Sequence, residues 1–262
     1  MSVGSHAASH SAGTADASDH VKPYVHVSLT TKALHFSISE IQSRMALQDP
    51  VALELAYTRT MMGFLLLLPA PRRIAMVGLG GGSLAKFCHR HLPTARIEVA
   101  EINPHVLALR DEFCVPRDDS RLQVQQADGA QFVRNAAPGV DVLMVDGFSS
   151  EGQPARLCSQ RFYDDCADLL QPQGVLVVNL HAGHRHHDAH VARIERSFGG
   201  TALVVDGGDL SNNIVFASSG HALGKARAGP VRRPRGLAPK AAAELAGAFA
   251  RVSRALREPR DG

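Results

Sequence analysis

The sequence has no long hydrophobic run. The longest, Met61 to Leu68, falls well short of the roughly 20 apolar residues a membrane-spanning helix needs. A soluble protein with no membrane partner is therefore expected. Cysteine is also scarce. The four cysteines, Cys88, Cys114, Cys158 and Cys166, are scattered without a CxxC pair, which argues for reduced thiols rather than a disulfide framework. A secretory signal is missing too: Met1 to Asp19 has neither a basic start nor an apolar stretch and is rich in Ser, Ala, Gly and His. Residues 1–21 are expected to form a disordered tail, and the location is expected to be cytoplasmic. Charge of one sign is nearly absent in sum, at a net +3, with much of the basic excess after Lys225. A basic tail can hold nucleic acid nonspecifically, but no aromatic or nucleic-acid motif accompanies it, so a solvated tail is expected and no nucleic-acid partner.

What is present is enough for one sizeable domain: 262 residues, 45% of them hydrophobic. Residues 22–70 read as a hairpin and a helix. Tyr24 to Leu29 and Ala33 to Ile38 alternate apolar and polar residues around Thr30-Thr31-Lys32. Asp49 and Pro50 suit the N-cap and first position of a helix running to Leu68, before Pro69-Ala-Pro71. Over residues 71–220 strands and helices alternate. Strands are expected at 74–78, 96–101, 122–125, 140–146 and 174–179, with 202–205 and 213–217 as an antiparallel pair that closes the sheet. Helices are expected at 83–91, 104–113, 130–135, 159–170 and 190–198. This order predicts a doubly wound, mostly parallel α/β sheet. Residues 221–262 read as a basic linker, Lys225 to Pro239, and a C-terminal helix with Leu245, Phe249, Val252 and Leu256 on one stripe. That helix docks on the domain or pairs with another copy.

Ligands of such sheets sit beyond the carboxyl ends of the strands. Four strand ends carry chemistry. The first runs into Gly78-Leu79-Gly80-Gly81-Gly82-Ser83 directly before a helix, where glycines permit a tight turn and a close ligand. Gly78, Gly80 and Gly82 match adenosylmethionine-type spacing; Gly80, Gly82 and Ala85 match dinucleotide spacing. Glu101 ends the second strand about 20 residues on, placed to accept ribose hydroxyls. Asp128 ends the third, where a carboxylate can accept from the exocyclic amine of adenine and Gly129 permits close approach. Asp146 ends the fourth, facing the reacting end of such a ligand. At the edge of an apolar strand its pKa is expected to rise, toward a value useful for taking a proton from an amine. Together these ends predict a site for a ligand carrying adenosine.

In combination, Gly78-Leu-Gly-Gly-Gly-Ser-Leu84, Val99-Ala-Glu-Ile-Asn-Pro104, Asp128-Gly129 and Val145-Asp146-Gly-Phe148 with Pro154, Leu157 and Phe162 resemble the spermidine synthases. They are most similar to the bacterial spermidine synthase-like proteins. The resemblance spans about Lys32 to Ala217. It implies a Rossmann-like fold of the adenosylmethionine-dependent transferase type. It also implies transfer of an aminopropyl group from decarboxylated S-adenosylmethionine to a small-molecule amine such as putrescine. Glu101 would bind the ribose, Asp128 the adenine, and Asp146 would deprotonate the amine; Gln42, Tyr57 and Ser149 fall on the substrate side. No metal is implied, and a homodimer is.

Three positions depart from that family's pattern. Gly82 stands where the glycine loop usually holds an Asp, Ser149 replaces the second Asp of Asp-Ser-Ser-Asp-Pro, and Arg59 stands near Tyr57 where a carboxylate is common. Each missing acid removes a charge-assisted hydrogen bond to an ammonium, about 1.5–3 kcal/mol. Methyl transfer from S-adenosylmethionine, or adenosyl-nucleoside binding without catalysis, therefore stand beside aminopropyl transfer. The histidines of His181 to His190 meet no fixed zinc motif and read as a solvated loop.

Overall fold

The computed structural model describes residues 20–37, 41–148, 152–209, 211–220, 222–229, 234 and 236–258. Seven strands form the central sheet: β4 (Arg73–Val77), β5 (Arg96–Glu101), β6 (Leu122–Gln126), β7 (Val140–Val145), β8 (Leu170–His181), β9 (Ala202–Asp206) and β10 (Asn212–Ala217). Their order is β6-β5-β4-β7-β8-β10-β9, parallel except for β10, which runs antiparallel to both its neighbours. Successive residues of β4 are buried on opposite faces. Ile74 and Met76 join one core, and Ala75 and Val77 the other. This two-sided burial is why the strand is an unbroken apolar run rather than an alternating one.

Helices cover both faces: α1 (Ala56–Met61), α2 (Ser83–His91), α3 (Pro104–Leu107), α4 (Gly129–Asn135), α5 (Gln160–Leu169), α6 (His187–Ser197), α7 (Ala222–Ala228) and α8 (Pro239–Arg257). Asn103 caps α3 and Ser159 caps α5 through their side chains, each accepting a backbone N–H. Beyond Leu107 the chain continues as turns, so the helix expected over 104–113 keeps only its first turn. α7 occupies the start of the stretch expected as a linker. α8 buries Leu245, Phe249, Val252 and Leu256 in the core that also holds α1. Gly63 lets it approach, since a Cβ there would lie 2.7 Å from Val252 Cγ2.

The N-terminal region differs from expectation in two ways. The expected hairpin is there, β1 (Tyr24–Val27) paired antiparallel with β2 (Thr31–His35), but a third antiparallel strand, β3 (Ile41–Ala46), extends it into a sheet. β3 escapes a period-two search because one of its two buried residues is the polar Ser43. The helix expected from Asp49 begins only at Ala56 and gives way to a 3-10 turn over Met62–Leu66. Asp49 instead holds a turn, its main-chain carbonyl accepting from Ala52 N at 3.0 Å, and its carboxylate pairs with Lys240 at 2.6 Å. Glu244 accepts Leu53 N, and the Arg59 guanidinium donates to the carbonyls of Leu53 and Glu54. These ties come mainly from α8, far along the chain, and they outweigh local helix propensity.

Candidate active site

The tip of β4 must turn sharply while lying against the tip of β7. Gly78 makes this possible. Its φ is +94°, and a Cβ there would lie 2.3 Å from the Asp146 carbonyl oxygen. Gly80, at φ +53°, also lines the large cavity over the strand ends. Gly81 and Gly82 turn away from it. A Cβ on Gly81 would meet Ser43 Oγ at 2.6 Å, and one on Gly82 would meet Val115 Cγ2 at 2.4 Å. These two let β3 and the 113–115 segment pack on the loop, and Gly82 has no room for an acidic side chain.

Glu101 is buried at the end of β5. Oε2 accepts Leu79 N and Oε1 accepts Asn103 N, both at 2.8 Å. Burial raises its pKa, opposed by the N–H groups of Asn103, Leu79, Gly80 and Ile102. The carboxylate thus pins the glycine loop, and its remaining lone pairs stay available to hydroxyl donors. Asp128 is the N-cap of α4, where Oδ1 accepts Ala130 N at 2.9 Å and Gln131 N at 3.0 Å, while Oδ2 pairs with Arg156. Burial pushes its pKa up, but the bonds from Gln131, Arg156 and Ala130 outweigh it and hold the pKa below the usual value. Gly129 places the first turn of α4 on β4, a Cβ there lying 2.3 Å from Val77 Cγ1.

Asp146 is half-buried and faces the cavity. Tyr57 Oη donates to Oδ2 at 3.1 Å and Asn179 Nδ2 donates to Oδ1 at 2.8 Å. Burial raises its pKa, and the two hydrogen bonds pull the other way. The Tyr57 hydroxyl is pushed well above its ordinary range by burial and by the Asp146 and Asp209 charges, so it stays a donor. Gln42, on β3, lines the same cavity. Ser149 lies outside the described residues. Asn179 was not singled out from sequence, although a buried Asn closing the run Val175 to Val178 is a legible signal. Asn179→Leu removes one of the two bonds that favour ionised Asp146. The acid limb of the pH–kcat/KM profile is therefore expected to move to higher pH, measured by steady-state kinetics across pH.

The cavity measures about 1690 Å³, larger than the roughly 300–1,000 Å³ typical of a single small-ligand pocket. It has room for two reactants. Its lining brings Gly78, Gly80, Glu101, Asp128, Gly129 and Asp146 together with Gln42 and Tyr57. Sequence reasoning also missed Arg156 and Asp209 on this lining. Most of the histidine loop is exposed, as expected, with His181, His184 and His186 at the surface; His190 is the exception. α6 begins at His187, so His190 falls in its first turn, buried, with its ring stacked 5.7 Å from that of His184. Burial, and then Arg193 and the neighbouring histidines, push its pKa down to about 4. Among the described residues no group of three or more His, Cys, Asp or Glu is arranged to hold a metal ion, and no helix is long and apolar enough to cross a membrane.

The sheet order and its crossovers define a Rossmann-like fold of the adenosylmethionine-dependent transferase type. The chain belongs to the spermine/spermidine synthase family: the spermine/spermidine synthase domain matches residues 54–197. It is accordingly a transferase. A polyamine aminopropyltransferase of Chromobacterium violaceum is 36% identical over 187 residues, covering 71% of this chain and 72% of the relative. Among solved structures, human methyltransferase-like protein 13 in complex with SAH is 27% identical, with a TM-score of 0.58, over 79% of this chain and 95% of that one. A probable spermidine synthase from Corynebacterium glutamicum has a TM-score of 0.66 at 19% identity, over 86% and 91%. It supports the fold.

Proposed function

We propose that this transferase moves an aminopropyl group from decarboxylated S-adenosylmethionine to a small amine, with Asp146 as the proton acceptor. The supporting observation is the half-buried Asp146 carboxylate, held by Tyr57 and Asn179 on the wall of a cavity that also presents Glu101 and Asp128. The ribose hydroxyls of the donor would meet Glu101. The adenine amine would share Asp128 Oδ2 with Arg156, which is possible because each carboxylate oxygen has more than one lone pair.

The acceptor arrives as an ammonium and is not a nucleophile until it loses a proton. Asp146 takes that proton. The freed lone pair then attacks the aminopropyl carbon next to the sulfonium; the C–N bond forms, the C–S bond breaks, and neutral methylthioadenosine leaves. The sulfonium is already a good leaving group, so positioning and a neutral amine supply most of the acceleration. Asp146 must be ionised to serve. Its raised pKa therefore makes activity fall as pH drops through that value.

Methyl transfer from intact S-adenosylmethionine is the second reading, favoured by the likeness to the human methyltransferase-like protein. Incubation with each sulfonium donor and a panel of amines separates the two. Methylthioadenosine is the expected product, and adenosylhomocysteine would establish methyl transfer instead. A ligand-dependent thermal shift with neither product would contradict both.

A further inference from the structure

Four acids line the cavity, and three are already engaged. Glu101 accepts backbone N–H groups, Asp128 caps α4 and pairs with Arg156, and Asp146 accepts from Tyr57 and Asn179. The fourth, Asp209, lies between β9 and β10 in a Gly-Gly-Asp stretch. Its Oδ1 accepts Ser211 N at 3.1 Å, Asn212 N at 3.0 Å and Asn212 Nδ2 at 2.9 Å. Among the described residues no donor is assigned to Oδ2 and no Lys, Arg or His pairs with this carboxylate. Arg185, which also lines the cavity, instead donates from Nε to His186 Nε2 at 3.1 Å. The loop is held from behind: Thr60 Oγ1 donates to the Gly207 carbonyl at 2.9 Å, and Arg251 Nη2 donates to Thr60 Oγ1 at 2.7 Å. Because Thr60 is on α1, the same clamp fixes Tyr57 relative to the loop.

We infer that Asp209 is the specificity-determining residue of the acceptor, receiving the second ammonium of a linear diamine on Oδ2 while the reacting amine lies at Asp146. The inference rests on the aminopropyl-transfer reading. An anion fixed by three donors on one oxygen, with no cationic partner among the described residues, suits a ligand that brings its own positive charge. The Asp209 charge also acts on the Tyr57 hydroxyl, so it is felt at the Asp146 end of the cavity. This acid supplies the negative charge that Gly82 and Arg59 do not, from a part of the chain where the glycine loop's packing on Val115 is undisturbed.

The test compares 1,4-diaminobutane with butylamine, which lacks the second ammonium, as acceptors for decarboxylated S-adenosylmethionine. Asp209→Asn keeps Oδ1 for the Ser211 and Asn212 donors, while it removes the charge and replaces the accepting Oδ2 with an NH2 donor. The ratio of kcat/KM for the diamine over the monoamine is expected to fall about 10–100-fold, and Asp209→Glu is expected to restore part of it. A purely structural role would depress both amines alike, and an unchanged ratio overturns the inference. Titration calorimetry of 1,4-diaminobutane into protein saturated with methylthioadenosine reads the anchor without turnover. Wild-type binding that weakens about 10–100-fold in Asp209→Asn supports it, and no wild-type binding overturns it. Failure of the transfer reading would show separately, as no methylthioadenosine formed by the wild type from either amine.

Discussion

Asp146→Asn is expected to lower kcat for aminopropyl transfer by about 10²–10⁴-fold, the range lost when a positioned general base is removed. The affinity for methylthioadenosine should change little. The substitution is nearly isosteric: the amide oxygen takes over as acceptor for one of the two donors, and the new NH2 can donate to Tyr57 Oη or to the Oδ1 of a flipped Asn179, so the cavity wall keeps its shape. What disappears is the site that accepts the acceptor's proton. The same variant should be no less stable than the wild type at neutral pH. Burial raises the pKa of Asp146 in the folded chain. A carboxyl with a raised folded pKa contributes stability fully present below the unfolded value and lost as pH rises through the folded one. At neutral pH the ionised group is thus a net cost, which a group that never ionises avoids. Glu101, raised by the same cause, behaves alike. Thermal melting at pH 7 with parallel steady-state kinetics checks both halves. A variant that melts well below the wild type would mean that the Tyr57 and Asn179 bonds outweigh desolvation, while wild-type activity would remove Asp146 from the mechanism.

Gly78→Ala should damage fold and site together. An alanine at φ +94° is strained, and its Cβ would lie 2.3 Å from the Asp146 carbonyl oxygen, a backbone atom that cannot rotate away. Left-handed strain and a backbone clash together are expected to cost about 3 kcal/mol or more. For a chain of this size that lowers Tm by about 6–12 °C. Relief requires the tips of β4 and β7 to separate, which moves the Gly78 and Asp146 backbone and lengthens the Gly78 N to Ala100 O bond, now 2.8 Å. Methylthioadenosine should then fail to stabilise the protein in thermal shift. Gly152→Ala is the contrast: its φ is +99°, but nothing lies within 4 Å of a Cβ there, so only the backbone strain remains.

The central strands were legible because burial on both faces leaves an unbroken apolar run, as at residues 74–77 and 142–145, and a polar residue ending such a run stands out. Asp146 was visible for that reason, whereas Glu101 and Asp128 were visible as acids at the ends of the next two strands after the glycine loop. What was not legible depends on distant contacts. The chain at 49–55 is turned and extended because Lys240 and Glu244, nearly 200 positions on, hold it there. β3 shows a polar Ser43 inward because its hydroxyl faces Gly81 and Ser83 Oγ, the latter 3.4 Å away, rather than an apolar layer. Asp209 sits among glycines and reads locally as a turn residue; only the closure of β9 on β10 brings it to the cavity. Glycine spacing alone did not distinguish Gly78 and Gly80, which line the cavity, from Gly81 and Gly82, whose place is set by Ser43, Phe113 and Val115.

The most direct measurement is a crystal structure of the protein with methylthioadenosine bound. The expected result has the ribose hydroxyls on Glu101, the adenine amine on Asp128 beside Arg156, and the thiomethyl sulfur directed toward Asp146 and Tyr57. A nucleoside seated away from these strand ends, or one whose sulfur points away from Asp146, would contradict the account.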